Sequence, residues 1–138
     1  MSDCIFCKII ENSIPSYTIY EDDYFKVILD RFPSTLGHTL IIPKVHAENI
    51  FDLDDEYASK LLVLAKKIAI ALKQSLNAEG LNLLQNNGEI AGQAIFHFHL
   101  HLIPRYKNDG ISVGWECTDP SDDDFVSAIE KIKSILKG

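Results

Sequence analysis

The stretch Phe96-His97-Phe98-His99-Leu100-His101-Leu102 alternates imidazole and apolar side chains without a break. On an extended strand such alternation turns all three histidines to one face and the apolar residues to the other, where packing would hold the imidazoles still. A neutral imidazole, with an unperturbed pKa of ~6.5, is a competent nucleophile and proton carrier at physiological pH. Histidines two apart on a strand lie roughly 6.6 Å apart and the outer pair roughly 13 Å. With Zn–N bonds of ~2.0 Å, two neighbours can share one ion comfortably and three in a straight row hardly can. The three histidines are therefore expected to have different jobs. A second chemical signal is Cys4-x-x-Cys7, which has zinc-ligand spacing and needs two more ligands to complete a tetrahedron. His46 and His97 are the candidates, and the competing reading is a pair of plain thiols in a small helix. Cys117 has no partner nearby and reads as an idle or buried thiol.

These residues need elements to position them. The alternation predicts a strand over 95–103, and further strands are expected over 17–21, 24–30, 37–43 and 81–85. Pro43 closes the third of these, because proline cannot donate to a ladder. A short helix over 5–11 would carry the cysteine pair. Leu61, Ala65, Ile68, Ala69, Leu72 and Leu76 form one apolar stripe, which predicts a long helix over 54–77. Asp52, Asp54 and Asp55 suit its N-terminus, and Gly80 is placed to supply the left-handed residue after its end. A last helix is expected over 122–137, with Phe125, Ile129, Ile132 and Leu136 on one face. Strands, a long helix, then strands again predict an α+β fold with an antiparallel sheet of about five strands.

The chain has 138 residues, 46% hydrophobic and 24% charged, and no repeat or low-complexity tract, which predicts one domain over 1–138. No apolar run approaches the ~20 residues of a membrane span. The start Met1-Ser2-Asp3-Cys4 lacks the basic-then-apolar order of a secretory signal, so a cytoplasmic chain is expected. The formal charge of -7 argues against nonspecific nucleic-acid or membrane-surface binding. Acids are absent, however, from windows 31–47 and 90–108, which hold Arg31, Lys44, Arg105, Lys107 and all five histidines. That placement suggests a small anionic ligand held locally.

His97-Phe98-His99-Leu100-His101-Leu102-Ile103 resembles the signature of the histidine triad (HIT) family. Gly37-His38-Thr39-Leu40-Ile41-Ile42-Pro43-Lys44 is similar to that family's Gly-His strand, and Asn87 with Gly92-Gln93 to its phosphate loop. The resemblance covers nearly the whole chain to about Arg105 and leaves the last helix outside. It implies a HIT-like fold and a nucleotide hydrolase or transferase acting at an α-phosphate through a covalent nucleotidyl-histidine. By the motif, His99 would be the nucleophile, while His101 and His38 would hold phosphate oxygens and help protonate the leaving group. Gln93 and Asn87 would donate to non-bridging oxygens, and Gly88 and Gly92 would let the backbone approach them. Asp30 would grip the ribose hydroxyls. Phe6, Ile9 and Ile28 would line the base pocket, or serve simply as core.

Zinc-binding members of the prokaryotic type and related uridylyltransferases use the first histidine of the strand as a ligand, which implies a structural zinc on Cys4, Cys7, His46 and His97. The family also implies a homodimer. One position departs from the pattern: Ala94 follows Gly-Gln where relatives of the phosphoramidase branch carry Ser and those of the dinucleotide branch Thr. The leading expectation is hydrolysis of purine nucleotide phosphoramidates or acyl nucleotides to AMP or GMP. A diadenosine polyphosphate hydrolase and a zinc-stabilised nucleotide-binding module without turnover are the alternatives.

Overall fold

A computed structural model describes residues 3–137, so Met1, Ser2 and Gly138 lie outside the described residues. The elements run α1 (Ile5–Ile10), β1 (Tyr17–Glu21), β2 (Phe25–Leu29), β3 (Thr39–Pro43), α2 (Asp55–Leu76), β4 (Gly80–Leu84), β5 (Leu100–Arg105) and α3 (Asp122–Leu136), with one 3-10 turn at Glu89–Ala91. The strands form one antiparallel sheet in the order β1-β2-β3-β5-β4, the α+β architecture that the pattern predicts.

The period-two alternation of the central strands sends side chains to both faces of the sheet. Phe25, Val27, Ile41, Leu100 and Leu102 point to one side, where the α2 stripe of Leu64, Ala65, Ile68 and Leu72 covers them. Ile28, Leu40 and Ile42 point to the other and pack beneath Phe6 and Ile9 of α1. Lys26 belongs to that second face and is almost wholly buried. Its ammonium donates to the Ile9 carbonyl at 3.0 Å and to Asn12 Oδ1 at 2.7 Å, which ties the end of α1 to the sheet. A charge so buried is tolerable because it is hydrogen-bonded.

Three expectations about the elements need correction. The strand expected over 95–103 is regular only from Leu100. Beyond Ile41↔Leu100 its ladder would run toward Ile42 and Pro43 of β3, and Pro43 has no N–H to offer. The left-handed residue after α2 is Asn77 (φ 54°), three residues before Gly80, which instead opens β4. Asp52 does not serve the helix. Its carboxylate accepts the N–H groups of Glu48 and Asn49 and so folds the turn just before α2.

The last helix forms where the spacing predicts, with a Ser121–Asp124 capping box. Every residue from 112 to 137 is nevertheless exposed, so this arm adds nothing to the chain's own core. No helix among the described residues is long and apolar enough to cross a membrane.

Candidate functional site

The site lies where the first half of β3 runs antiparallel beside the first residues of β5. Gly37 makes the approach possible. It adopts φ +91°, and a Cβ there would run into Leu76 and Pro104, so only glycine lets the chain pass under the end of α2 and turn into β3. The turn delivers His38, which is buried beside β5. Across the β3–β5 ladder Leu40 pairs with His101, and the imidazoles of His38 and His101 meet with ring centroids 5.2 Å apart. His99 lies 4.9 Å from His101 by ring centroids and packs its edge on Phe6 at 4.9 Å. Behind them Phe98, Leu100 and Leu102 are buried, so the apolar half of the alternation does what the sequence predicts. Phe96 breaks it: at 42% exposed it lies outside the core.

Hydrogen bonds to the backbone decide which ring nitrogen of each histidine carries the proton. His99 Nδ1–H donates to the His97 carbonyl at 2.7 Å, which leaves Nε2 with a free lone pair. The Ser34 N–H donates to His38 Nδ1 at 3.0 Å, so the proton of His38 sits on Nε2 and is given to His101 Nδ1 at 2.9 Å. His101 must then carry its own proton on Nε2. Burial lowers the pKa of His38 and of His99, and with its two neighbouring imidazoles pushes His101 down to about 4. The trio is therefore neutral at pH 7: one nucleophilic nitrogen beside one N–H donor.

Asp30 Oδ2 stands 3.7 Å from His38 Nε2, and Asp30 Oδ1 accepts the Phe32 N–H. Asp30 shares a cavity of about 520 Å³ with His99, and Phe6, Ile9, Ile28 and Leu40 form part of its wall. Phe6, Ile9 and Ile28 are thus core and pocket lining at once.

The loop residues are placed differently from a direct phosphate grip. Gln93 is buried, its Nε2 donates to the carbonyls of Glu48 (2.6 Å) and Ile95 (3.1 Å), and its Oε1 accepts the Gly88 N–H at 2.8 Å. Asn87 accepts the Ile50 N–H and exchanges hydrogen bonds with Gln85. Both amides brace the 86–95 loop against the turn that Asp52 folds. Gly88 (φ 93°) and Gly92 (φ 96°) supply the left-handed backbone that this loop requires.

Cys4, Cys7, His46 and His97 converge as the spacing suggested, their ligand atoms all within 4.8 Å of one another. His97 Nδ1 is 3.3 Å from Cys4 Sγ, 3.6 Å from Cys7 Sγ and 3.1 Å from His46 Nδ1, and Cys7 Sγ is 3.4 Å from His46 Nδ1. A tetrahedron with metal–sulfur bonds of ~2.3 Å and metal–nitrogen bonds of ~2.0 Å has edges of about 3.3–3.8 Å, so these four atoms already frame one. The fully buried His97 donates Nε2–H to the Pro43 carbonyl at 2.9 Å, which turns the Nδ1 lone pair to the cluster. Burial pushes the His97 pKa down to about 4, which keeps the ring in the neutral, ligating form. Cys117, by contrast, is exposed on the arm.

Sequence reading missed the groups that orient the imidazoles: the Ser34 N–H and the carbonyls of His97 and Pro43. Backbone atoms leave no residue-type signal. Lys26 did leave one, a cation inside an apolar run, and it was not read.

A family model described as HIT domain matches residues 11–108. The adenosine 5'-monophosphoramidase HNT1 of Saccharomyces cerevisiae is 40% identical over 136 residues, covering 98% of this chain and 84% of that protein. A crystal structure of a member of the HIT family from Bacillus subtilis superposes with a TM-score of 0.92 at 42% identity over 99% of both chains. A HIT family protein from Bacillus anthracis does so with a TM-score of 0.91 at 46% identity over 98% of both. A Zn-bound histidine triad family protein from Mycobacterium smegmatis gives 0.76 at 35% identity, over 97% of this chain and 98% of that one. The matched span holds all of the site except α1, and with it the chain belongs to the HIT family and is a nucleotide hydrolase by that kinship.

Proposed function

We propose that the protein hydrolyses purine nucleoside phosphoramidates or acyl nucleotides, releasing the nucleoside monophosphate by way of a nucleotidyl group on His99. The observation that carries this reading is the His99 ring: Nδ1–H held at 2.7 Å by the His97 carbonyl, Nε2 free, and the N–H of His101 beside it. His99 Nε2 forms a bond to the α-phosphorus, and the P–N bond of a phosphoramidate, or the P–O bond of an acyl nucleotide, breaks as the leaving atom takes the Nε2 proton of His101. Water then cleaves the Nε2–P bond and returns a proton to His101, which yields the monophosphate and restores both histidines. A covalent intermediate of this kind divides one difficult displacement into two easier ones.

His101 offers Nε2–H to phosphate oxygens, with His38 holding its tautomer, and Asp30 accepts from the ribose hydroxyls. The base lies against Phe6, Ile9 and Ile28. Gln93 and Asn87 act by bracing the loop whose backbone faces the phosphate. A yeast relative named adenosine 5'-monophosphoramidase supports the phosphoramidate class.

Zinc is the metal proposed for Cys4, Cys7, His46 and His97, supported by the two-sulfur, two-nitrogen donor set and by a Zn-bound relative. With four protein ligands it would be structural and supply no open position for chemistry. Free thiols at Cys4 and Cys7 suit a reducing cytoplasm. Homodimerisation is supported by the exposed Leu62, Val63 and Ile70 on the outer face of α2.

The test is a substrate panel of adenosine phosphoramidate, an acyl adenylate and diadenosine polyphosphates. Wild type is expected to release AMP from the first two faster than from the dinucleotides, and His99→Ala to lose at least ~10³-fold in kcat/KM. Undiminished turnover by His99→Ala sinks the mechanism. Preference for the dinucleotide favours the alternative hydrolase, and tight AMP binding without any product favours a binding module.

A further inference from the structure

Strand β2 reads Phe25-Lys26-Val27-Ile28-Leu29, and one residue of the five is charged. By its period-two parity Lys26 shares a face with Ile28, and the two pair across the sheet with Ile42 and Leu40. Lys26 is only 2% exposed. Taking an ammonium out of water is costly, and an apolar residue of similar volume is often as stable or more so in such a place. Core packing alone therefore does not explain a cation here, and departures from the local pattern collect at functional sites.

What Lys26 holds indicates its task. Nζ donates to the Ile9 carbonyl at 3.0 Å and to Asn12 Oδ1 at 2.7 Å, with Glu21 Oε1 4.0 Å away. Ile9 lies in the last turn of α1, and Asn12, at φ 64°, is the left-handed residue that turns the chain out of that helix. Before this junction Ile5, Phe6 and Ile9 line the cavity of about 520 Å³ that contains His99, and after it Pro15, Ser16 and Tyr17 line the same cavity. Lys26 does not line it. It grips, from behind, the junction that two walls share.

Little else could fix that junction. The other hydrogen bonds of the turn run from the N–H groups of Asn12, Ser13 and Ile14 to the carbonyls of Ile9 and Lys8, so they are internal to it. Among the described residues, Lys26 makes the only hydrogen bonds from residues 8–14 to the sheet. Ile10 and Ile14 press on the same apolar layer, but packing of that kind is non-directional. The other end of α1 is tied separately, through Cys4 and Cys7.

We propose that Lys26 is a positioning residue for the base: it sets the separation of the two walls between which the base lies, without touching the nucleotide. This role rests on the cavity being the nucleoside site, and does not require that a bound nucleotide be hydrolysed.

Calorimetric titration with AMP and with ribose 5-phosphate tests it, because the two share sugar and phosphate and only AMP carries a base. Lys26→Met keeps the apolar stem, and the Ile9 carbonyl still accepts the Asn12 N–H, so no buried acceptor is orphaned and the far-ultraviolet spectrum should not change. The expected result is a Kd for AMP raised at least ~fivefold, against less than about twofold for ribose 5-phosphate, a selective loss that general destabilisation would not produce. Asn12→Gly tolerates the left-handed backbone and removes one acceptor, so it should shift AMP in the same direction. Added to Lys26→Met, it should cause no further loss, since both act through one bond. Asn12→Asp retains an acceptor and is expected to keep wild-type affinity. An unchanged Kd for AMP in Lys26→Met, or equal weakening of both ligands, overturns the proposal, as does a wild type that binds ribose 5-phosphate as tightly as AMP. Should Lys26→Met misfold, Asn12→Gly decides: AMP bound as by wild type overturns the role. A wild type that binds AMP in this way but releases none from phosphoramidates or acyl nucleotides would refute the hydrolase reading and leave the role of Lys26 standing.

Discussion

At the scale of single residues, the chemistry depends on which nitrogen holds a proton, and that is set by atoms outside the signature. His38, His99 and His101 would be interchangeable imidazoles without the Ser34 N–H and the His97 carbonyl, which make one an acceptor of phosphorus and another a donor to oxygen. Burial keeps them neutral, and that has a thermodynamic consequence. His101 has a folded pKa of about 4, below the ~6.5 of an unfolded histidine. Between those values the unfolded chain binds the additional proton, so stability rises with pH across that interval. The contribution is complete above ~6.5 and is lost as pH falls toward 4. In His101→Gln, which cannot titrate, the fall in Tm between pH 7 and pH 4.5 is expected to be shallower than in wild type. Parallel Tm curves for the two proteins would show that His101 is not held neutral by the fold.

At the scale of elements, α1 is a short helix fastened to the sheet by side chains rather than by strand pairing. It has six residues, no strand pairing, and is held by Phe6 and Ile9, by Lys26 and by the Cys4–Cys7–His46–His97 cluster. Removing the proposed zinc is therefore expected to lower Tm by on the order of 10 °C, since a structural metal contributes several kcal/mol of folding energy. Cys7→Ser should start from the lower Tm and show no further response to chelator. Less than ~0.2 metal per purified chain, with a wild-type Tm indifferent to chelator, would leave the cluster as packed thiols and imidazoles.

The cysteine pair, the strands and both long helices were legible in the sequence because spacing and period carry them directly. The irregular approach to β5 was not. Alternation over 96–102 reports only side-chain polarity, whereas the ladder stops because its partner strand ends in Pro43, a fact about pairing. Asp52 and Gln93 are similar cases: a helix-start acid and a phosphate-loop amide by position, they turn out to fold the 48–52 turn and to bind it to the 86–95 loop.

At the scale of the whole molecule, folding cancels the two acid-free windows that had suggested a basic pocket. Lys44 reaches Glu21 at 2.8 Å and Arg105 reaches Asp109, the first residue past its window, at 2.8 Å, so acids outside the windows neutralise two of the four cations. A substrate phosphate is left to N–H dipoles of neutral imidazoles and of the loop backbone, inside a protein whose formal charge is -7. Long-range attraction then plays no part in capture, and protein and nucleotide repel one another weakly. Salt screens that repulsion over a Debye length that is ~10 Å at 0.1 M. Raising KCl from 50 to 200 mM is therefore expected to leave kcat/KM for adenosine phosphoramidate unchanged or to raise it by less than about threefold. A protein that grips a polyanion by releasing counterions would lose ~10³–10⁵ in affinity over the same range. A tenfold fall in kcat/KM would show that exposed cations such as Arg31 and Lys107 draw the substrate in, and that the neutral-donor account of the phosphate site is wrong.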